Sequence, residues 1–500
     1  MKKISVWLQN TVMWIYGLLM AAIVLTCAVG GNIPYYTGKD MQFRQVVYLA
    51  AGCVWILLLS LVARQCAKRK WFQKNDRKIM LVLSALMGMG LIVITYQYYF
   101  HTGWDASTVM IEAEKLAHSD YEHPENWYFS RQSNNIFIVF LFSLVMRAGN
   151  VLHFGNDYFY VIAFQCVGWA YTGYMVYLIV DKLCSEKSGA VLAWLIFAIV
   201  PGMSPWVIIP YTDTVGMLIV ATIIVLLLYD KSHFLIAALL VMGYFMKPQI
   251  MIIGIAAVIL YGCDLIRGWN RRTVINLLGI AAGMALALVV VYAGNKMTYI
   301  QVDEQRTFGI PHYLMMGLNE RTNGVISDED WEFSESFDTK SERDAANLQV
   351  VGERLKEMDA ARWAAHLRKK ILTVYRDGSF AWGVEGNFFK EMVSSGSPRA
   401  RDFLRNIYLP EGKYYSAFLN VMQAVWLGIL FFAIFAFPTL KGDKKASVLA
   451  LAVIGFTLFE LLFEPRARHS LTYIPIWIPF ACMGIENIRR KLRWGKALPE

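Results

Sequence analysis

The sequence predicts an all-α polytopic membrane protein of about 12 transmembrane helices, with surface-lying helices and one large loop region on the outer side. Three observations carry that prediction. Of the 500 residues, 57% are hydrophobic and only 17% charged, against about 25% charged in soluble domains; the mean hydropathy is +0.41. Apolar runs recur near 10–30, 47–63, 79–98, 158–180, 189–207, 211–229, 233–247, 249–266, 273–294, 414–438, 446–462 and 470–487. Such runs suit a hydrocarbon core about 30 Å thick, and no alternating strands of a membrane barrel are present. Finally, basic residues collect between the runs: Arg64, Lys68, Arg69, Lys70, Lys74, Arg77 and Lys78; Arg267, Arg271 and Arg272; Lys441, Lys444 and Lys445; and Arg489, Arg490, Lys491, Arg493 and Lys496.

With Lys2 and Lys3 on the same side as these loops, about twelve crossings satisfy the positive-inside rule throughout. Both termini are then cytoplasmic, in a multi-pass protein of the cell membrane. Segments around 99–157, 208–213, 295–413 and 463–469 face outward. The net charge of +10 reports this orientation; it does not call for a nucleic-acid partner. The first apolar run is too long for a signal-peptide core and no small-x-small site follows it, so it reads as an anchor. The seven cysteines, Cys27, Cys53, Cys66, Cys166, Cys184, Cys263 and Cys482, form neither a disulfide framework nor a CxxC metal site.

Four parts follow along the chain. Residues 1–78 hold two spans and a basic loop. Residues 79–294 form a transmembrane core that includes the outer loop 99–157. Residues 295–413 are the extracytoplasmic segment, and 414–500 hold three spans and a basic tail. "NNIFIVFLFSLVM" after Ser133 is apolar for only about 15 residues, short of a span, and would invert the parity if counted as one. It reads as a helix lying on the outer surface. No internal repeat or P-loop is present.

Polar residues at the outer span ends are the chemical candidates. "HTGWDAST" places Asp105 just beyond a span, with His101 and Trp104 beside it and Glu112 one face along. "IIPYTDTVG" places Tyr211 and Asp213 in a short outer turn, and "YFMKPQIM" places Lys247 in another. "LFEPRARHSLTYIP" places Glu464, Arg466, Arg468 and His469 in a third. A charge at a helix end is ordinarily an anchor, because long side chains snorkel. Two outer arginines beside a carboxylate run against the positive-inside bias, however, and a phosphate matches guanidinium in bidentate fashion. A phosphate with an apolar tail is a polyprenyl phosphate. If it carries a sugar, transfer needs cations for the departing phosphate and a carboxylate for the acceptor's proton. Asp105 supplies one half; Lys247, Arg466 and Arg468 supply the other. His312, Asn319, Glu320 and Arg321 in "HYLMMGLNER", Asp377 and Glu385 in "RDGSFAWGVEGNFF", and Asn134 and Asn135 are weaker candidates for contacts to substrate; the two asparagines suit a helix cap better than a donor contact.

The order of these motifs resembles the glycosyltransferase C superfamily of polyprenyl-phosphate-sugar-dependent enzymes, which includes protein O-mannosyltransferases, aminoarabinose transferases and oligosaccharyltransferases. It is especially similar to bacterial mannosyltransferase-like membrane proteins in "GWDAS", "YFSRQSNN", "PYTDTVG", "KP", "HYLMMGLN" and "EPRAR", over about residues 79–487. The resemblance implies an inverting transferase with Asp105 as base and Asp213 as second acid, acting on an extracytoplasmic glycan, lipid or protein. It implies a polyprenyl-phosphate sugar as substrate, supplied by a synthase and a flippase from the cytoplasmic side. Two departures stand out: the two spans of 10–63 precede the motifs, and the second motif has one acid rather than a pair. The single acid leads us to expect no metal. A lipid-linked saccharide polymerase or ligase, and a flippase or transporter, remain as alternatives.

Overall fold

The computed structural model describes residues 2–30, 41–122, 124–152, 155–267, 270–386, 389–392 and 396–494. Three helices open the chain: α1 (Lys2–Val29), α2 (Gln45–Ala67) and α3 (Lys70–Gln97). Strand β1 (Phe100–Thr102) follows, then α4 (Trp104–Ala117), α5 (Asn126–Arg131) and α6 (Ile136–Leu152). Helices α7 (Asp157–Leu183), α8 (Lys187–Ile199), α9 (Thr212–Leu228), α10 (His233–Tyr244), α11 (Met251–Arg267) and α12 (Arg271–Met297) return to the bundle. The polar segment folds as α13 (Ile310–Gly317), α14 (Asp328–Glu335), α15 (Lys340–Glu357), α16 (Ala360–Tyr375), strand β2 (Phe389–Met392) and α17 (Pro398–Tyr408). Helices α18 (Tyr415–Ile434), α19 (Lys444–Leu462) and α20 (Ile474–Trp494) complete the bundle.

Contacts sort the loops into two ends. At one end, Arg77 pairs with Asp181 at 2.9 Å, Lys187 with Asp76 at 2.6 Å and Lys445 with Asp230 at 2.6 Å. There Ser185 Oγ also donates to Glu486 at 2.6 Å and Lys444 Nζ to Ser5 at 3.5 Å. Helix α1 therefore starts, and α20 finishes, at this basic end. The other end carries the polar segment and the outer-loop candidates. Helices α1–α3, α7–α12 and α18–α20 alternate between the two, as predicted from charge. Among the described residues, eight helical segments are long and apolar enough to cross a membrane by themselves, with every backbone group satisfied within the helix, as lipid requires. Helices α8 and α10 are shorter, at 13 and 12 residues. Pro201 and Pro205 end the first early, and Lys247-Pro248 cuts off the second, since proline cannot donate to a helix. At about 1.5 Å per residue these helices stop well inside a 30 Å core, so the turns after them sit low in the bundle.

Helix α6 corrects one argument while keeping its conclusion. With the 3-10 turn before it, the apolar segment runs from Ser133 to Leu152, 20 residues, and is long enough to cross. Length therefore does not make it a surface helix; its contacts do. Asn134 Nδ2 lies 3.4 Å from Met246 O after α10. Phe140 packs so closely on Gly294, near the end of α12, that a Cβ there would approach within 2.7 Å. Arg147 donates to Leu116 O at 2.5 Å, and Gly149 lies under Tyr160 at the start of α7. Both ends of α6 thus touch the same end of the bundle. Helix α4 packs beside it.

The first two helices are built into the bundle. A Cβ at Gly52 on α2 would meet Ala424 O at 1.8 Å, and one at Gly428 would meet Gly52 at 2.8 Å. This small-residue seam brings α2 and α18 into backbone contact, the usual way helices associate in lipid. The side chains of Lys2, Lys3, Cys263, Arg267 and Arg493, and the whole of Lys496, lie outside the described residues.

By the positive-inside rule the basic end is expected to face the cytoplasm. The expected result is that Ser341→Cys, on the exposed face of α15, reacts with a membrane-impermeant maleimide in intact cells, whereas native Cys66, exposed at the basic end, reacts only after lysis. The reverse pattern would invert the topology.

Candidate active site

Asp105 is placed by a strained entry into α4. Strand β1 pairs antiparallel with β2, in the register Phe100↔Met392, His101↔Glu391 and Thr102↔Phe389. The ribbon ties the Asp105 loop to the chain that follows Glu385. Gly103 then caps α4 and Trp104 takes a φ of 47°. A bulky side chain in that region costs about 1–3 kcal/mol, strain of a kind that gathers at functional sites. The result is that Asp105 sits half-buried in the first helical turn, where the helix dipole favours a negative charge.

A polar chain holds this carboxylate. Tyr211 Oη donates to Asp105 Oδ2 at 3.0 Å. Asn135 Nδ2 donates to Tyr211 Oη at 3.0 Å and to Tyr128 Oη at 2.6 Å, while Asn134 Nδ2 reaches Asn135 Oδ1 at 3.1 Å. The two asparagines therefore orient the tyrosines. Burial raises the Asp105 carboxyl above its ordinary pKa, while the Arg468 charge and the Tyr211 hydrogen bond act against that rise.

Of the predicted cations, Arg468 faces this acid most directly. Its guanidinium lies over the Trp104 ring, 4.4 Å from the centroid, and 5.5 Å from that of Tyr211. Its Nε is 3.1 Å from Glu385 Oε2. Arg466 instead builds the turn: it binds Glu385 Oε1 at 2.8 Å and Glu464 Oε1 at 2.5 Å, and its amide donates to Glu460 Oε2 at 3.0 Å. Lys247 is paired with Asp213 through a direct contact between Nζ and Oδ1. Only 7% of the lysine side chain and 1% of the aspartate are exposed, so each neutralises the other in the bundle. Glu460 accepts from Gln249 Nε2 at 2.7 Å and lies 2.9 Å from His469 Nδ1. Burial, helped by Lys247, Arg468 and Arg466, pushes His469 well below its usual pKa. A neutral ring is then free to donate from Nδ1 to Glu460.

Five buried polar atoms here have no hydrogen-bond partner among the described residues: Trp104 Nε1, Asp213 Oδ2 and Gln249 Oε1, together with Glu385 Oε2 and Arg468 Nε, which face each other as an ion pair. Buried polar atoms are normally satisfied, so the first three mark positions for a bound polar group.

The remaining candidates serve the polar segment. His312 lies 2.7 Å from Ser334 Oγ and packs on Phe308, and burial pushes it down to about 4. Asn319 donates to Asp330 at 2.9 Å and Glu320 pairs with Arg362 at 2.5 Å. Arg321 contacts Glu329 at 3.4 Å with both side chains mostly in solvent. Among the described residues, none of these four forms a hydrogen bond or ion pair with the Asp105 cluster. Glu464 accepts from Ile326 N at 3.0 Å as well as from Arg466. Glu112 pairs with Lys115 at 2.7 Å, and the His101 ring lies 4.5 Å from that of Tyr158. Asp377 caps a buried turn through Ser379 N at 2.8 Å and Ala381 N at 2.7 Å.

Sequence reasoning missed Tyr128, Tyr313, Gln249 and Glu460. Tyr313 enters beside the site by donating to Gln132 at 3.0 Å. Glu460 had a readable signal, an acid inside the apolar run "FTLFELL", where an ionisable residue is expensive.

Fold and site together define a polytopic integral membrane protein with a buried acid–cation cluster at one end. A family model described as "conserved hypothetical integral membrane protein" matches residues 5–488, and the chain belongs to that family. No curated protein matches. Among solved structures, the archaeal oligosaccharyltransferase AglB from Archaeoglobus fulgidus, in complex with an inhibitory peptide and a dolichol-phosphate, is similar at 13% identity with a TM-score of 0.43. The match covers 86% of this chain and 52% of that one, so this chain spans about half of the other's length.

Proposed function

We propose that this protein is a membrane glycosyltransferase that moves a sugar from a polyprenyl-phosphate carrier to a hydroxyl-bearing acceptor at the outer face. The observation that supports it most is that Asp105 and Arg468 share Tyr211: the tyrosine donates to the acid and lies 5.5 Å beneath the guanidinium. An acid and a cation on one rigid aromatic are what an inverting displacement needs. Asp105 takes the proton of the acceptor hydroxyl as its oxygen bonds to the anomeric carbon. The bond from that carbon to the carrier phosphate breaks, and the phosphate leaves with the electron pair, its new charge held by Arg468. The motif resemblance to the glycosyltransferase C superfamily points the same way, and the proposal includes no resident metal. Asp213, paired to Lys247, holds the floor of the site. A synthase and a flippase would deliver the donor from the cytoplasmic side.

The test is incubation of the purified protein with a panel of polyprenyl-phosphate sugars and a cell-envelope acceptor fraction. The expected result is loss of sugar from one donor with release of the polyprenyl phosphate. A flippase in vesicles would move the donor without consuming it, and that outcome would overturn the reading.

A further inference from the structure

Lys370, on α16 of the polar segment, is fully buried at 0% exposure although, among the described residues, no carboxylate contacts it. Its Nζ donates to Gly317 O at 2.8 Å and to Phe463 O at 2.7 Å. Gly317 closes α13, in "HYLMMGLN". Phe463 follows α19 and opens the Glu464–Arg468 turn. One ammonium thus joins two stretches of backbone from distant parts of the chain. The packing around it leaves little slack: a Cβ at Gly317 would meet Leu462 O at 2.2 Å. Gly324, at a φ of +81°, passes so close that a Cβ there would lie 3.1 Å from Nζ. His366, one turn earlier on α16, shares Gly317 O at 3.0 Å.

The polar segment has other ties of its own. Arg343 Nε donates to Ser334 O at 2.8 Å, and Arg354 holds Asp330 and Met315 O at 2.5 Å each. What Lys370 adds is the link to Phe463. A buried ammonium is costly, and here burial brings it down to about 7 while Glu460 and Glu464 oppose the shift. A side chain kept in that condition serves the backbone it grips.

We propose that Lys370 is a positioning residue: it fixes the 463–468 turn and so aims Arg468, through Glu385 and Arg466, at the Asp105 loop. Its effect on transfer rests on the proposed function; its effect on the turn does not.

Hydrogen exchange read by mass spectrometry on the full-length protein in detergent separates the two. Lys370→Met nearly keeps the length and removes the donors; Lys370→Gln keeps a shorter, uncharged donor group and carries the test if the Met variant is not recovered folded. The expected result is exchange about tenfold faster at the amides of Arg466, His469 and Ser470, with α15 unchanged and a smaller rise for Gln. Unchanged exchange in the turn, or an equal rise in α15, would overturn the proposal. In the transfer assay the Met variant should raise KM for the lipid donor more than it lowers kcat. A wild type without turnover would refute the proposed function and leave the exchange result to decide the role of Lys370.

Discussion

Asp105→Asn is expected to lower turnover by about 10²–10⁴-fold, the usual worth of a positioned general base, while leaving donor binding intact. Asparagine keeps the size of the side chain and can still accept from Tyr211, so the polar chain through Asn135 and Tyr128 survives. What it cannot do is take a proton. The same residue predicts a pH profile. Burial holds its carboxyl above the ordinary value of about 4, and the protonated acid therefore persists to higher pH. Because the base works only when deprotonated, kcat/KM should fall as pH drops through that raised value. The acid limb should lie above pH 4 and be lost in the Asn variant. Parental turnover in Asp105→Asn, at matched thermal stability, would reduce this acid to a loop residue.

Breaking the Asp213–Lys247 pair should show first in stability. Removing one partner of a buried ion pair leaves the other charge uncompensated, at about 3–5 kcal/mol. Lys247→Met is expected to lower the thermal midpoint in detergent further than Arg468→Ala does, because it strips Asp213 of its ion-pair partner, whereas Glu385 keeps Arg466 when Arg468 is lost. The double variant Asp213→Asn/Lys247→Met removes both charges and should recover most of the loss. A double variant as unstable as the sum of the two single ones would mean that the pair is not the unit that matters.

Lys247 also shows where sequence reading stopped. The order of the spans, and the gathering of the described basic loops at one end of the bundle, were legible, because charge placement and span length are both local properties of the chain. So was the position of Asp105, since an acid just beyond a span is conspicuous. The partners of each charge were not. "YFMKPQIM" and "PYTDTVG" look like two separate outer turns, and only the shortness of α10 brings Lys247 down onto Asp213. For the same reason Arg466 and Arg468 looked equivalent, although one is held between Glu385 and Glu464 and the other, paired to Glu385 through Nε alone, lies over Trp104. Ser133–Leu152 failed the length rule in the opposite direction. Its contacts with Met246 and Gly294 place it, and no property of its own residues would have done so.

The most direct measurement is binding of polyprenyl phosphate, compared with polyprenyl alcohol of the same length, by native mass spectrometry of the purified protein. One phosphate-bearing lipid per chain is predicted, bound more tightly than the alcohol. Asp105→Asn should retain it. Arg468→Ala should weaken it by about ten- to hundredfold, the loss of a charge-assisted contact of about 1.5–3 kcal/mol, and Arg468→Lys should restore only part, because lysine lacks the planar fork. Equal binding of the alcohol, or unchanged affinity in Arg468→Ala, would contradict the account.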